Sequence, residues 1–348
     1  MENTWKLSDR RRLPAELMKP AVDPAGWEPA RMRASEDWIY RLSEAENQEI
    51  ESAVGAIEAR GLDITAVGRA EFPLPRLAPV LAQLRDELMK GRGFGMLRGL
   101  ALERYTQVQA SKAFWGIGTY LGRAIPQNVQ GHVFAHVKDQ GGVSGRDRNY
   151  TTTAALSFHC DSCDILGLGC VNTGKSGGEH RICSSVTLYN EMLKRRPDLA
   201  RELGGPFYRS RSGDGFGGAK PYIVQRTFNF VDGFFSCRSA SGSILGAQKY
   251  SEVPRLTPVQ REAIEVFNAM AEELALPIRF RPGDLFFVMN HTMMHARTAY
   301  EDWPEPERKR HLLRLWLSNG ERPLPPEIAE TMDGPPLKVR ERTALLEV

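Results

Sequence analysis

The chain has 348 residues, 46 Lys and Arg against 43 Asp and Glu, and a formal net charge of +3 at pH 7. This length fits one large or two ordinary domains with a substantial core, and a charge this near balance gives no electrostatic case for nucleic acid or an anionic membrane as partner. No apolar run reaches the about 18–20 residues that a membrane span needs.

The opening stretch, MENTWKLSDRRRLPAELMKP, is charged and broken by prolines, so it does not read as a secretory signal. Five cysteines without a framework spacing predict reduced thiols in a cytoplasmic protein. The first forty residues are basic, rich in proline and irregular, and are expected to wrap the surface. SEAENQEIESAVGAIEARG then predicts a helix. Ser43 and Glu46 form a capping box, Ile50, Val54 and Ile57 share a face, and Gly61 ends it. LPRLAPVLAQLRDELMKG predicts a second amphipathic helix, GFGMLRGL a short buried strand, and YTQVQASKAFWGIGTYLG a third helix. Residues 124–157 are polar and glycine-rich, which predicts a long loop of the kind that covers active sites.

From Thr151 onward strands dominate: TTAALSFHCDS, ILGLGCVN, FYRSRS, YIVQRTFNFVD, GFFSCRSA, PIRF, DLFFVMN and HLLRLWL. One helix is expected over SSVTLYNEMLKRRPDLARELGG. Another is TPVQREAIEVFNAMAEELAL, with Thr257 as cap and Pro258 at its first position. Many strands with turn signals suggest a sandwich or barrel carrying the N-terminal helices outside. Residues 1–90 are assigned to that outer segment and 91–348 to the sheet-rich unit.

The chemistry concentrates in FHCDSCD, residues 158–164. On a strand, His159 and Asp161 point to the same face and Cys160 points away. A lone His-x-Asp is weak, because a histidine bonded to a carboxylate in a polar core has the same spacing. A third ligand would make a site. His295, which leads into ARTAYED, is preferred, with His291 as its competitor. Two histidines and a carboxylate with open positions form the facial triad of non-haem Fe(II) oxygenases. A cosubstrate with a remote carboxylate would need a guanidinium fork. In RHLLRLWL, read as a strand, Arg310, Leu312, Arg314 and Trp316 share one face and His311, Leu313, Leu315 and Leu317 the other. Structural salt bridges would explain one of the two arginines; for the pair, at least one ligand role is favoured.

Other readings compete. Cys160, Cys163, Cys170 and Cys183 offer four thiols, but they lack the two tight hairpins of structural zinc sites. Cys160-Asp-Ser-Cys163 is followed by a strand, where thioredoxin-like chemistry wants a helix. GDGFGGAK at 213–220 lacks the Ser or Thr of a phosphate loop and reads as a turn. Arg226, Arg238, Arg297, Gln127 and Asn128 are weaker candidates for substrate contact.

Taken in order, HCD, GGEHRICSSVTLYNEML, RPGDLFFVMNHTMMHARTAYED and ERKRHLLRLWL resemble the TauD/TfdA family of Fe(II)/2-oxoglutarate dioxygenases. The resemblance spans roughly residues 90–320. It implies a mainly β (α+β) double-stranded β-helix, or jelly-roll barrel, with flanking helices. It implies iron on His159, Asp161 and His295, 2-oxoglutarate held at its far carboxylate by Arg310, and Arg314 touching substrate or cosubstrate. O2 is the third reactant, and succinate and CO2 are released as a small anionic or zwitterionic substrate is oxidised. One departure stands out: where relatives carry a Thr or Ser hydroxyl for 2-oxoglutarate, this chain has His180, so His180, Ser184 or Ser185 takes that role. A non-catalytic metal-binding barrel and an iron dioxygenase without 2-oxoglutarate are the alternatives. The choice among hydroxylation, desaturation and cyclisation, and the presence of a homo-oligomer, stay open.

Overall fold

A computed structural model describes residues 5, 7–8, 11–128, 130–139, 152–211, 220–240, 242–332 and 343–346. It combines sheets with flanking helices, the sheets predominating. The larger sheet runs Ile39–Arg41, Phe94–Arg98, Leu285–Met289, Ile165–Asn172, His311–Ser318, His132–Lys138 and Thr343–Ala344, with Arg123–Ala124 also paired to His311–Ser318. A four-stranded sheet runs Leu276–Ile278, His180–Ser184, Met293–Arg297 and Leu156–His159.

Alternation along the central strands divides the apolar residues between two cores. Phe94, Met96, Leu166, Leu168, Phe286, Val288, Leu312 and Trp316 point inward. They share one cluster with Phe158, Ile182, Ile278 and Met294 of the smaller sheet. Leu97, Leu285, Phe287, Leu313, Leu315 and Leu317 point outward, onto Ile50, Val54, Ile57, Leu81, Leu84 and Phe114 of the N-terminal helices. Gly167 makes this outer contact close. A Cβ there would lie 2.9 Å from Phe287 and 3.2 Å from Phe114. The division of HLLRLWL into two faces is therefore as the sequence predicts.

The expected helices form at Glu44–Ala59, Ala78–Lys90, Gln107–Gly118 and Pro258–Glu273. Capping boxes start three of them: Ser43 with Glu46, Thr106 with Gln109, and Thr257 with Gln260. The single helix expected from Ser184 to Gly205 is instead two, Ser185–Arg195 and Pro197–Leu203. Pro197 cannot continue the first helix, and Arg196 between them has left the helical region at φ −144°. The N-terminal segment does more than wrap the surface. Trp27 and Trp38 enter the inner core, and Ile39–Arg41 adds a parallel edge strand beside Phe94–Arg98.

One loop expectation is corrected. The segment 124–157 contains the strand His132–Lys138, hydrogen-bonded along His311–Ser318; Val129 and residues 140–151 lie outside the described residues, as do 212–219 of the GDGFGGAK turn. The residues after Asn290, for which the sequence predicts no element, form a buried strand, Met293–Arg297. Its polar side chains face other protein groups instead of water, so their polarity misleads.

On the outer face His136 gives its Nε2 hydrogen to the Leu345 carbonyl at 2.9 Å, leaving Nδ1 to accept from His311 Nε2 at 2.6 Å. Burial pushes His136 from 6.5 down to about 4 and His311 to about 3. The unfolded chain then binds protons that the folded chain refuses. The stability these residues contribute is complete above pH 6.5 and is lost as pH falls from 6.5 through about 4 for His136 and about 3 for His311. Urea unfolding of His136→Gln/His311→Gln across this range should show a shallower acid decline than the parent; an unchanged slope would contradict the assignment.

Candidate active site

Strand pairing explains why residues so distant in sequence meet. Met293–Arg297 lies between His180–Ser184 and Leu156–His159, and its register sets His295 opposite His159 on one side and Ile182 on the other. The two imidazole centroids are 4.2 Å apart. The strand ends at His159, so strict alternation does not place Asp161. A loop brings it back: the Asp161 N–H donates to Asn290 Oδ1 at 3.2 Å, and Arg238 Nη1 donates to the Asp161 carbonyl at 3.2 Å. The Asp161 carboxylate then lies 4.0 Å from His159 Nε2 and 3.7 Å from His295 Nε2. One donor atom from each of the three residues falls within 4.8 Å of the others.

Local hydrogen bonds prepare these atoms. His159 donates from Nδ1 to the Ser157 carbonyl at 2.8 Å, which leaves the Nε2 lone pair for a metal. Trp316 Nε1 donates to Asp161 Oδ2 at 2.9 Å. Burial alone would raise the Asp161 carboxyl; the opposing fields of His295, Arg314 and His159 and the Trp316 bond outweigh it and hold the group below its ordinary range. Burial, reinforced by His159, pushes His295 down to about 3, so its imidazole is a neutral donor. Imidazole nitrogen with a single carboxylate suits a divalent transition metal, and iron fits this donor set.

Arg310 is 3 % exposed at the start of the His311–Ser318 strand. Its Nη2 donates to His180 Nε2 at 3.0 Å, and its guanidinium lies 5.1 Å from the Tyr300 ring centroid. Its Nη1 is buried with no hydrogen-bond partner among the described residues, which fits an incoming carboxylate. Burial, then the charge of Arg310, keeps His180 well below its ordinary range, as an acceptor requires. Ser184 is placed differently. It caps the helix Ser185–Arg195, accepting from Thr187 N at 3.0 Å and donating to the Ala25 carbonyl at 2.6 Å. Arg314 gives its Nε to Gln127 Oε1 at 2.7 Å, and Gln127 Nε2 returns to the Arg314 carbonyl at 3.0 Å.

His291 is not with the triad. It is fully buried, with Nε2 2.7 Å from Asp164 Oδ1, while the Asn319 and Gly320 N–H groups hold Asp164 Oδ2. The thiols also lie apart. Cys160 turns its sulfur toward the Cys237 and Met293 carbonyls, and Cys163 accepts from Asn290 Nδ2 at 3.0 Å. All five cysteines are free, and the metal-capable cluster among the described residues contains none of them. Sequence reasoning missed Asn290 and the bond from Trp316 to Asp161; the shared face of Arg314 and Trp316 was the one available signal for the latter.

The FR-33289 synthase of Streptomyces rubellomurinus is 31 % identical over 87 % of this chain and 91 % of its own. The taurine hydroxylase-like protein SAT17 of Stachybotrys chartarum is 30 % identical over 93 % and 86 %. In fold, the chain is similar to asparagine oxygenase solved with Fe(II), 2S,3S-3-hydroxyasparagine and succinate, at TM-score 0.62 and 17 % identity over 81 % of this chain and 93 % of that one. It is also similar to the non-heme iron oxygenase OrfP with Fe and alpha-ketoglutaric acid, at TM-score 0.60 and 16 % identity over 80 % and 94 %. The sequence model described as "Taurine catabolism dioxygenase TauD, TfdA family" matches residues 58–316. The chain thus belongs to the TauD/TfdA family of Fe(II)- and 2-oxoglutarate-dependent dioxygenases.

Proposed function

We propose that His159, Asp161 and His295 hold Fe(II), that Arg310 binds the far carboxylate of 2-oxoglutarate, and that the enzyme hydroxylates or otherwise oxidises a small anionic or zwitterionic molecule. The observation that carries this reading is the His295–His159 cross-strand pair with Asp161 closing the third corner. In the finer reading of the fold, the two sheets are the walls of a double-stranded β-helix, and residues 1–90 pack on it within a single catalytic unit. The protein is read as cytoplasmic, with a small molecule as its partner. The hydroxyasparagine in the asparagine oxygenase complex supports an amino-acid-like substrate.

When bound, iron and 2-oxoglutarate supply the oxidation, consuming O2 and releasing succinate and CO2. The protein's own part is placement. Ser157 fixes the His159 tautomer, Trp316 orients the Asp161 carboxylate, and Asn290 anchors its backbone. His180 holds one Arg310 nitrogen so that the other points to the cosubstrate. His180 thereby takes the position of the hydroxyl found in relatives, and the Ser184 hydroxyl stays with its helix cap.

Calorimetric titration with Fe(II) under nitrogen should give tight binding to the parent and at least about a hundredfold loss in His295→Ala. Equal binding by parent and His295→Ala would misassign the site. Arg310→Leu should raise KM for 2-oxoglutarate about thirtyfold or more, the loss expected when a buried charged pair loses one partner. Succinate release unchanged by Arg310→Leu would show that Arg310 does not hold the cosubstrate, whereas O2 consumed with no succinate released would point to an iron dioxygenase that uses no 2-oxoglutarate. Tight iron binding by the parent with no succinate released across a broad substrate panel would favour a non-catalytic binding protein.

A further inference from the structure

Several arginines that tie the fold together face carboxylates: Arg92 with Glu87 at 2.8 Å, Arg98 with Asp284 at 2.8 Å, and Arg12 and Arg322 with Asp23 at 2.7 and 3.7 Å. Arg209 and Arg238 differ. Arg209 is 4 % exposed, yet its hydrogen-bond partners among the described residues are neutral oxygens: the Ser239 carbonyl at 2.6 Å, Thr227 Oγ1 at 2.8 Å and the Arg238 carbonyl at 3.5 Å. Its Nε has no hydrogen-bond partner among the described residues. Arg238 is half-buried, and its guanidinium donates to the Asp161 carbonyl at 3.2 Å. Neither arginine forms an ion pair among the described residues.

Their position is fixed by the fold. The strands Phe228–Val231 and Phe234–Cys237 form a hairpin, and the Cys237 N–H donates to the His291 carbonyl at 2.9 Å. The next residue, Arg238, is thereby laid against the residue that supplies the site's carboxylate. Arg209 sits behind it, pushed down to about 10 by burial and then by the charge of Arg238. Two neighbouring guanidinium groups, one of them buried and neither with an anion among the described residues, are costly unless a counter-charge arrives. Arg310 is accounted for by 2-oxoglutarate; Arg238 and Arg209 are not.

We infer that Arg238, backed by Arg209, anchors the oxyanion group of the substrate (carboxylate, sulfonate or phosphonate) beside the iron site. Arg238 is the contact, since its fork is half-exposed and can close on two oxygens. Arg209 is a positioning residue that holds the Ser239 and Thr227 oxygens around it. A substrate held so near Asp161 is small, with the oxidised carbon only a few bonds from the anionic group. This rests on the iron-site reading above.

The test is calorimetric titration of acetate, methanesulfonate and methylphosphonate, with dimethyl sulfone as neutral control. It is run on metal-free protein and on anaerobic protein loaded with Fe(II) and 2-oxoglutarate. The parent should bind at least one anion and not the sulfone. Arg238→Gln should weaken that binding tenfold or more, and Arg238→Lys should restore part of it. Affinity for 2-oxoglutarate should be the same in all three. Equal anion affinity in parent and Arg238→Gln, or no anion bound by the parent, overturns the proposal. A parent that binds neither Fe(II) nor 2-oxoglutarate counts against the iron-site reading instead, and the metal-free titration still decides Arg238. If Arg238→Gln does not fold, Arg238→Lys is read in its place, and an unchanged affinity there overturns the proposal, because a lysine lacks the bidentate fork.

Discussion

The register of the smaller sheet is the constraint on which the rest depends. His295 faces His159 only because Met293–Arg297 pairs with Leu156–His159 at that one alignment, with Ile182 opposite on the other side. A slip of one residue would send Met294 to the site face and His295 to the other. Three residues, Asn290 to Thr292, carry the chain from Leu285–Met289 in the larger sheet to Met293–Arg297 in the smaller, and they are heavily tied. The Asn290 N–H donates to the Asp164 carbonyl at 2.9 Å, His291 meets the Asp164 carboxylate, and the Ser185 N–H donates to the Thr292 carbonyl at 2.9 Å. Asn290 also receives the Asp161 N–H. One crossing therefore sets the distal histidine and the loop that returns the aspartate.

This crossing gives the second histidine of HTMMH a physical role. His291 is buried and bonded to Asp164, which in turn gathers the Asn319 and Gly320 N–H groups at the end of the His311–Ser318 strand. The two sheets are thus fastened to each other beside the site by a polar network. That strand carries Arg314 and Trp316, follows directly on Arg310, and brings Trp316 onto Asp161. The side chains that act on cosubstrate in the proposed function share a backbone with the residue that orients Asp161.

The fold was legible where one physical rule acted alone. Capping boxes at Ser43, Thr106 and Thr257 mark helix starts because their hydrogen bonds are local. Alternation in HLLRLWL survives because one face meets helices and the other the inner core. His132–Lys138 was hidden among polar and glycine-rich neighbours, although its own middle residues are buried. Met293–Arg297 was hidden because His295 and Arg297 are polar for reasons of chemistry and not of solvent exposure. In the candidate site, the three residues whose donor atoms the fold brings within 4.8 Å could be picked from the sequence, but for Asp161 the reasoning was only half apt: a loop anchored by Asn290 does what strand alternation was expected to do. Asn290 itself was invisible, since its bond spans 129 positions of chain.

In the proposed function, the use of His180 where relatives use a hydroxyl follows from the same geometry. His180 lies opposite Arg297 and two positions from Ile182, so it faces the site side of the sheet with His295. A hydroxyl at this depth could touch a ligand but would leave the long Arg310 fork without a neighbour on that side. An imidazole reaches it, accepts one N–H, and packs edge-on against Phe280 at 5.1 Å between ring centroids. To accept, Nε2 must stay unprotonated, and the burial that depresses His180 together with the positive charge of Arg310 ensures it. The histidine is neutral because the arginine is charged, and the arginine is oriented because the histidine is neutral. A buried cation with one neutral acceptor still lacks an anion. In the proposed function the cosubstrate carboxylate fills that need at Arg310, and the substrate oxyanion inferred at Arg238 would fill the matching one there, so binding both molecules would complete the charge balance left open among the described residues.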